Sequence, residues 1–467
     1  MAPYDTPPLD EVLPEADGLP VDLLDLAERR VPRYTSYPTA PHFQSAFPAE
    51  THGAWLAALP ADAHLSLYLH VPFCRQLCWY CGCATQAVNT RAPIAEYVED
   101  LEREIALVAA ALGSKRQVVR IHWGGGTPLS LEPEDLSRLD RSLRAAFDVL
   151  PGAEVAVEID PRRLDKGRFE ALLLMGVNRV SLGVQDLDPD VQKLIGREQP
   201  FEVVAAAVAG LRAVGLKSIS FDLIYGLPGQ TVATIHRTAA QALSLNPERI
   251  AIFGYAHVPW ARGNQALIDA TLLPGPSERW RLAHTAERTI LAGGYLPVGL
   301  DHFAAPHDSL AWAAQHGRLR RGFQGFTDDP SEVVVGIGAS SISTLPHGYA
   351  QNAAQVPPWR EAIRAGRLPS ARGRALTAED RFRRHIIERL MCGFSVDLEA
   401  AAVEHGQALD TLAAALVEVD RLVARGVAVR DGWTVGVSKG RELLVRVIAA
   451  AFDTYLKPDA PGHASAV

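Results

Sequence analysis

Short apolar runs rich in β-branched residues alternate with longer segments of helical period over the first 256 residues. The runs lie at 65–71, 117–123, 154–160, 178–184, 217–223 and 249–256. The helical pattern is clearest after the first run, where Ile94, Val98 and Leu101 recur at four- and three-residue steps and acidic residues fill the other face. Further helices are predicted at about 133–147, 165–175, 201–214 and 231–245. Six strands that alternate with helices predict parallel βαβ units in a closed or partly closed barrel.

Beyond Leu376 the chain carries helical patterns and one hairpin signal. Helices are predicted near 378–391, 397–405 and 409–425, with a last helix from about 439. Thr377 and Asp380 have the spacing of a capping box, and an Asp-Gly pair within 427–437 predicts a hairpin. This order of elements is that of a winged helix, a motif used to bind DNA. Acidic and basic residues balance across the region without a basic stripe, which favours a packing lid over nucleic-acid binding.

These patterns divide the chain into three predicted regions. They are an N-terminal extension at 1–54 that carries the run RYTSYPTA, a barrel core with its extension at 55–360, and a mostly helical, winged-helix-like domain at 361–467 that covers the site. The length of 467 residues, 48% of them hydrophobic, is ample for more than one core. A net charge of −8 argues against bulk nucleic-acid binding but leaves room for an anionic small molecule.

The composition also bears on where the protein works. Residues 1–20 are Pro-rich and acidic, without the basic and apolar regions of a signal peptide. No run approaches the roughly 18 consecutive apolar residues that a membrane-spanning helix needs. We therefore expect a soluble cytoplasmic enzyme that binds neither nucleic acid nor membrane.

Four of the five cysteines lie within ten residues. Cys74, Cys78 and Cys81 have the spacing C-x3-C-x2-C, and Cys83 follows. This spacing suits a loop that places three thiolates on one face of a [4Fe–4S] cluster and leaves the fourth iron open to bind another molecule. A structural zinc site usually pairs two C-x2-C knuckles, a disulfide framework would need more partners than Cys392, and a two-cluster ferredoxin would need more cysteines. The open-site cluster is therefore favoured over these three alternatives.

Polar residues and glycines follow the ends of the predicted strands, where the ligand site of such a barrel lies. The cysteine loop follows the first strand, and the run GGGTP at 124–128 follows the second. The residues at or just beyond the ends of the other four strands are Glu158, Gln185, Asp222 and Ala256. GGGTP lacks the lysine and spacing of a Walker loop and the spacing of a dinucleotide fingerprint. Its glycines expose backbone N–H and C=O groups, which can pair with the amino and carboxylate ends of an amino acid.

The cysteine spacing followed by GGGTP resembles the radical S-adenosylmethionine (SAM) superfamily. RYTSYPTA, the fourth cysteine and runs such as FDLIYGLPGQT and GIGASSIS extend the likeness over nearly the whole chain, and they resemble the oxygen-independent coproporphyrinogen III oxidases more closely. The resemblance implies an α/β fold, in which a partial (β/α)6 radical-SAM barrel is flanked by the N-terminal extension and the helical domain.

The resemblance also assigns residues to roles. It implies that Cys74, Cys78 and Cys81 hold the cluster, and that Cys83 is a catalytic cysteine that the family needs but does not use as a ligand. A structural role for the Cys83 thiol is the open alternative. Positions that match contacts to the SAM bound to the cluster are Tyr68, Tyr80, Gly125, Glu158 and Ile342. Positions that match contacts to a second SAM are Gly126, Thr127, Gln185, Arg197, Asp222 and Ala256. Tyr80 departs from the family, which commonly has phenylalanine there, but it keeps an aromatic ring that can pack against adenine.

The implied reaction is the oxygen-independent oxidative decarboxylation of two propionates of coproporphyrinogen III to vinyl groups, which gives protoporphyrinogen IX in haem biosynthesis. The cluster and two SAM per turnover would supply 5′-deoxyadenosyl radicals that each remove a β-hydrogen. Candidate cations for the four substrate carboxylates are Arg33, Arg162, Arg163, Arg262, His70, His257 and His302.

Further partners follow from the same likeness. They are an electron donor and an electron acceptor of unknown identity, and the family favours a monomer. A haem chaperone of the same superfamily is the alternative function, but such relatives usually lack RYTSYPTA and the cysteine at position 83.

Overall fold

The computed structural model describes residues 19–457 and 464–467. Most of the Pro-rich acidic segment at 1–20 lies outside the described residues, so the expectation that it is no signal peptide stays a prediction.

Most of the described strands belong to one large sheet. The strands are β1 Leu65–Val71, β2 Phe73–Cys74, β3 Gln86–Ala87, β4 Gln117–Gly125, β5 Asp148–Ile159, β6 Arg179–Gln185, β7 Ser218–Tyr225, β8 Arg249–Gly254, β9 Leu296–Val298, β10 His302–Ala304, β11 Arg320–Gly322, β12 Gly325–Thr327, β13 Val333–Ile337, β14 Ile342–Leu345, β15 Gly348–Asn352, β16 Ser370–Ala375, β17 Ser395–Asp397, β18 Ala428–Asp431 and β19 Thr434–Val437. The large sheet has the order β16-β15-β14-β13-β1-β4-β5-β6-β7-β8-β10-β9.

Helices connect these strands and form the C-terminal region. They are α1 Leu24–Glu28, α2 Ala49–Ala57, α3 Arg91–Leu112, α4 Pro133–Ala146, α5 Lys166–Leu174, α6 Pro189–Leu194, α7 Phe201–Ala213, α8 Val232–Ser244, α9 Pro276–Ala292, α10 Ser309–Gln315, α11 Val356–Arg364, α12 Ala378–Gly393, α13 Leu398–His405, α14 Ala413–Ala424 and α15 Val445–Ala450. Among the described helices, none is both long and apolar enough to span a bilayer.

The six predicted strands are β1 and β4 to β8, and neighbours in this series pair in parallel. They read as continuous apolar runs because helices cover the sheet, so that six of the seven residues of β1 are buried. The predicted helices between them all form, within a few residues of their expected bounds. At the two ends of the series, β1 pairs with β13 and β8 pairs with β10, so the described strands do not close into a ring. This confirms the partial barrel.

The sheet continues past the barrel through strands that the apolar pattern did not reveal. β13 returns parallel to β1, and β14, β15 and β16 follow as an antiparallel extension. Because β16 ends at Ala375, the large sheet runs beyond residue 360 and the helical region begins at Ala378. The division of the chain into regions at 54 and 360 stays a prediction.

The helical region has its own hydrophobic core. Thr377 and Asp380 form the expected capping box, since the N–H of Asp380 donates to Thr377 Oγ1 over 3.0 Å and the N–H of Thr377 donates to Asp380 Oδ2 over 2.9 Å. The hairpin forms as β18 and β19 and gains β17 as a third strand, whereas the last helix is shorter than predicted. Tyr34 and Tyr37 of RYTSYPTA pack into this core, so the N-terminal extension is joined to the helical region.

Candidate active site

The cysteine loop follows β1, and side chains from the segment after β8 donate hydrogen bonds to its backbone. Asn264 Nδ2 lies 3.0 Å from the carbonyl oxygens of Cys78 and Cys81, and Gln265 Nε2 donates to the carbonyl oxygen of Tyr80 over 2.8 Å. These donors lie beyond β8, nearly two hundred residues after the loop. The sequence offered no signal for them, because side-chain amides that bind backbone show no characteristic spacing.

The loop forms one wall of a cavity of about 530 Å³, which we call the cysteine cavity. Of the fifteen predicted site residues, all but Tyr68 and Ile342 line it: Cys74, Cys78, Tyr80, Cys81, Cys83, Gly125, Gly126, Thr127, Glu158, Gln185, Arg197, Asp222 and Ala256. The carboxyl ends of the parallel strands therefore meet where the fold class predicts. The structure brings these residues together, and their individual roles stay predictions.

The three cysteines predicted as ligands have different surroundings. Arg197 Nη1 donates to Cys78 Sγ over 3.4 Å, and Thr85 Oγ1 donates to Cys74 Sγ over the same distance. The sulfur atoms of Cys74, Cys78 and Cys81 do not all lie within 4.8 Å of one another. The three thiols are therefore not gathered around one point, and the cluster is favoured over a single zinc ion by the cysteine spacing.

Cys83 lies close to Cys81 and affects its ionisation. A hydrogen bond from Cys83 lowers the pKa of Cys81 to about 6, and the charges of Arg197 and Arg262 act in the same direction. The same contact raises the pKa of Cys83 well above its usual range. A thiolate is the form that binds metal, so Cys81 is prepared for a ligand's role while Cys83 stays protonated.

The glycine loop after β4 uses its N–H groups inside the protein. Gly125 donates to Glu158 Oε2 over 3.1 Å, Gly126 donates to the carbonyl oxygen of Val71 over 2.8 Å, and Thr127 donates to that of Phe73 over 2.9 Å. The expectation that this loop offers both N–H and C=O groups is therefore wrong for these three N–H groups. The loop can therefore bind a ligand through its carbonyl oxygens, which accept hydrogen bonds from the amino end of a bound amino acid.

An anionic group would instead meet Arg197. Its Nη2 donates to the carbonyl oxygen of Gly183 over 2.6 Å and lies 3.5 Å from Asp160 Oδ1. Its Nε is buried and has no hydrogen-bond partner within the described part of the chain. Buried donors are normally paired, so this one is available to an acceptor on a bound molecule.

Two further side chains of the cysteine cavity show signs of a functional role. Gln185 adopts a left-handed conformation with φ of 67°, which is uncommon for a residue with a side chain. Burial raises the pKa of Asp222 to about 6, although a hydrogen bond from Ser181 over 2.9 Å opposes the shift. Such strain and perturbed acidity are concentrated at functional sites.

A second cavity of about 480 Å³ adjoins the first, and we call it the arginine cavity. Its basic lining residues are His70, Arg262, Arg320, Arg321 and Arg384. The residues that line both cavities are Gly82, Cys83, Gly125, Glu158 and Arg262. The remaining predicted site residues, Tyr68 and Ile342, line the arginine cavity. The four carboxylates that also line this cavity are Glu158, Asp329, Glu332 and Glu388. Cys83 is therefore placed between the cluster ligands and a cavity that contains four arginines.

RYTSYPTA forms part of the wall of the arginine cavity. Tyr34 donates to Asp453 Oδ2 over 3.1 Å, Tyr37 Oη lies 3.1 Å from Thr454 Oγ1, and Arg33 Nη2 donates to the carbonyl oxygen of Gly254 over 2.7 Å. The motif therefore ties the mouth of the barrel to the helical region.

Tyr68 holds the cysteine loop through His70. Its hydroxyl lies 3.1 Å from His70 Nδ1, and His70 Nε2 lies 2.8 Å from the carbonyl oxygen of Ala84, directly after Cys83. Because a carbonyl only accepts, Nε2 carries the proton and Nδ1 accepts from Tyr68. Burial lowers the pKa of His70, which keeps the ring neutral.

The candidate cations for substrate carboxylates separate in the structure. Arg33 and Arg162 line the cysteine cavity, and His70 and Arg262 line the arginine cavity. Arg163, His257 and His302 line neither cavity: Arg163 faces an outer cleft, His257 pairs with Tyr255 and His302 pairs with Asp301. Sequence reasoning missed Arg320, Arg321 and Arg384, which come from β11 and α12.

The cysteine cavity fits a [4Fe–4S] cluster with a bound SAM. Three cysteines present sulfur, Arg197 offers an unpartnered donor, and the glycine loop packs so closely against its neighbours that it has no room for side chains. A Cβ added at Gly124 would lie 2.6 Å from Glu158 Oε1, and one added at Gly126 would lie 2.7 Å from the carbonyl oxygen of Phe73.

Comparisons with known proteins agree with this geometry. Residues 68–242 match the radical SAM superfamily. The oxygen-independent coproporphyrinogen III oxidase of Bradyrhizobium diazoefficiens is 49% identical over 94% of this chain and 98% of its own length. That of Pseudomonas aeruginosa is 37% identical over 93% and 95%. The solved structure of coproporphyrinogen III oxidase from Escherichia coli, a radical SAM enzyme, superposes with a TM-score of 0.86 at 35% identity, covering 92% of this chain and all of that one. The chain belongs to the oxygen-independent coproporphyrinogen III oxidase family.

Proposed function

We propose that this protein converts coproporphyrinogen III to protoporphyrinogen IX without oxygen, by oxidative decarboxylation of two propionates to vinyl groups. The observation that carries the proposal is the junction of two cavities. One holds three clustered cysteines, the other holds four arginines, and Cys83, Glu158 and Arg262 line both. A tetra-anionic macrocycle can bind among the arginines with one side chain directed toward the cysteine cavity.

The protein is a radical SAM oxidoreductase whose cofactors are a [4Fe–4S] cluster and SAM. Cys74, Cys78 and Cys81 would hold the cluster, the glycine loop would accept from the amino group of the SAM bound to it, and Arg197 would donate to the carboxylate of the second SAM. When bound, the pair supplies a radical able to abstract a hydrogen atom from an unactivated carbon. The protein positions the propionate and excludes water from the junction.

Three arginines are suited to bind the substrate's carboxylates. Within the described residues, the guanidinium groups of Arg262 and Arg384 have no hydrogen-bond or ion-pair partner. Arg321 Nη1 is buried without a partner, while its Nη2 donates to the carbonyl oxygen of Arg33 over 3.2 Å. Free donors on a planar fork match a carboxylate well. Arg320 is less available, because it lies 3.5 Å from Glu332 and 3.7 Å from Glu388.

Each propionate loses a β-hydrogen atom, carbon dioxide and one electron, so the reaction needs an electron acceptor as well as a donor to the cluster. We propose that the donor is a small protein with an acidic surface. It would dock at an outer cleft beside the cysteine loop, lined by four arginines, Arg75, Arg162, Arg163 and Arg168, and two aspartates. Cys74 lines both this cleft and the cysteine cavity, so the cleft gives a close approach to the cluster.

Charge reversal in the cleft tests the docking surface. Electron-transfer complexes are small and depend on electrostatics, so Arg163→Glu should slow reduction by an acidic donor protein, and added salt should shrink the difference. Dithionite needs no docking surface and should reduce both proteins equally. Arg421→Glu on α14 is the matched control, because Arg421 is a surface arginine, 73% exposed, that does not line the cleft. Equal slowing with dithionite would assign Arg163 to the cluster site instead.

Turnover of the reconstituted protein tests the function itself. The protein is loaded anaerobically with iron and sulfide and incubated with coproporphyrinogen III, SAM, a reductant for the cluster and an electron acceptor. We expect protoporphyrinogen IX and carbon dioxide in a ratio of one to two, with methionine as a by-product. SAM cleavage without a tetrapyrrole product would refute the proposed substrate but would agree with the proposed cofactors. The relatives from Bradyrhizobium diazoefficiens and Pseudomonas aeruginosa are named coproporphyrinogen III oxidases, so the alternative function of a haem chaperone is not favoured.

The setting of the enzyme follows from its chemistry. We propose that it acts as a monomer in the cytoplasm, where a reducing environment keeps the four loop cysteines available for cluster assembly. Sedimentation of the loaded protein tests the monomer, and a defined dimer that shares the arginine cavity would contradict it.

A further inference from the structure

The helical region brings two histidines and a glutamate together, away from the two cavities. His385 lies on α12, and Glu404 and His405 end α13. His385 Nδ1 is 3.6 Å from Glu404 Oε1, and His405 Nε2 is 3.9 Å from the same oxygen. One ligand atom from each residue lies within 4.8 Å of the others, and no other group of three histidine, cysteine or carboxylate side chains among the described residues meets that test.

This spacing is close to that of ligands around one ion. Nitrogen and oxygen ligands about 2.0–2.1 Å from a tetrahedral zinc lie about 3.3 Å apart. The two measured distances exceed this by less than an ångström, which small rotations of the exposed Glu404 side chain would close. The two imidazole rings are edge-on to one another with centroids 5.0 Å apart, so both histidines face the same small region.

His405 provides the observation that an ordinary ion pair does not explain. Its Nε2 is buried and has no hydrogen-bond partner within the described residues. A buried ring nitrogen that lacks a partner is uncommon, and a metal ion satisfies it. Glu404 is 63% exposed and His385 is 27% exposed, so an ion and a water ligand could enter from solvent.

We propose that His385, Glu404 and His405 bind a divalent transition-metal ion. Two imidazoles and one carboxylate bind zinc with water as the fourth ligand, and the same set also binds iron(II), so zinc is the probe for this site. The ion would clamp the end of α13 to the middle of α12. Arg384, Ile387 and Glu388, which line the arginine cavity, lie on the same stretch of α12 as His385. The ion would therefore stabilise the helix that forms this wall, and it takes no part in the radical chemistry.

Zinc analysis of the loaded enzyme tests the site. Holoenzyme is freed of loose metal, given one equivalent of zinc and desalted. We expect one zinc per chain, with an X-ray absorption spectrum of nitrogen and oxygen ligands near about 2.0 Å. Zinc in a vacant cysteine loop would instead show sulfur near about 2.3 Å, and that result would overturn the proposal. Iron content and turnover are measured separately, so failure of the zinc site would leave the proposed function intact.

Variants assign the ligands. His405→Gln should lose the zinc, whereas His316→Gln, a surface histidine stacked on Trp312, should retain it. If His405→Gln fails to fold, Glu404→Gln at the exposed position should fold and raise the Kd for zinc at least tenfold. Zinc should raise the melting temperature of the wild type and not that of the variants. Retention of nitrogen-ligated zinc in both ligand variants would refute the assignment.

Discussion

Replacing Arg384 by glutamine tests how the substrate's carboxylates are recognised. The guanidinium lies 5.7 Å from the ring centroid of Tyr349 and has no polar partner among the described residues. A propionate bound there gains charge-assisted hydrogen bonds without displacing another acceptor. Loss of such a bond costs about 1.5–3 kcal/mol, so the KM for coproporphyrinogen III should rise about 10- to 150-fold. The melting temperature should change little, since the contact that the protein loses is the long cation–π contact with Tyr349 and no hydrogen bond is broken.

The assay is anaerobic formation of protoporphyrinogen IX with either substrate varied. The KM for SAM should not change, because Arg384 lines the arginine cavity and not the cysteine cavity. Arg381→Gln is the matched control, since Arg381 lies on the same helix and donates to the carbonyl oxygen of Pro346 over 3.2 Å. An unchanged KM for the tetrapyrrole, or an equal rise in Arg381→Gln, would refute the reasoning.

Three other substitutions probe the cysteine cavity. Cys78→Ser should abolish the broad absorbance near about 400 nm of the reconstituted cluster and leave the circular dichroism intact, whereas unfolding would point to a structural cysteine. Gly126→Val should weaken SAM binding in equilibrium dialysis, because a Cβ there would collide with Thr85 Oγ1 and the carbonyl oxygen of Phe73 and so displace the glycine loop; wild-type affinity in a folded variant would contradict this. Burial raises the pKa of Asp222 to about 6, so the folded state favours the neutral acid and loses up to about 3 kcal/mol as the pH rises from about 4 to above 6. Asp222→Asn, which can still accept from Ser181, should therefore gain stability relative to the wild type as the pH rises from about 4 to about 7 in urea unfolding, and parallel pH profiles over that range would count against it.

The barrel and the cysteine cavity could be predicted because their signals are local. A strand buried on both faces must be apolar throughout, as β1 is, and cluster ligands on one loop must be close in sequence. Parallel strands bring their carboxyl ends to one edge, so Glu158 and Asp222 could be expected in one site although 64 residues separate them.

The arginine cavity could not be predicted in the same way. Arg321 and Arg384 lie on a three-residue strand and on a helix of the C-terminal region, and neither element has a pattern that shows what it faces. Their meeting depends on β13 returning to pair with β1, a contact across some 260 residues. An unpaired arginine inside a cavity and a solvated arginine on a surface look the same in a sequence.

The hydrogen bonds from Asn264 and Gln265 to the cysteine loop determine when during synthesis the loop can reach its final conformation. A nascent chain carries Cys74, Cys78 and Cys81 long before it carries the amides that donate to the loop's carbonyl groups. The loop therefore reaches its final shape only after the ribosome has passed residue 265 and β8 has joined the sheet. Iron and sulfide delivered earlier would meet a loop that lacks these two donors, so we expect the cluster to be assembled after more than half of the chain has been made.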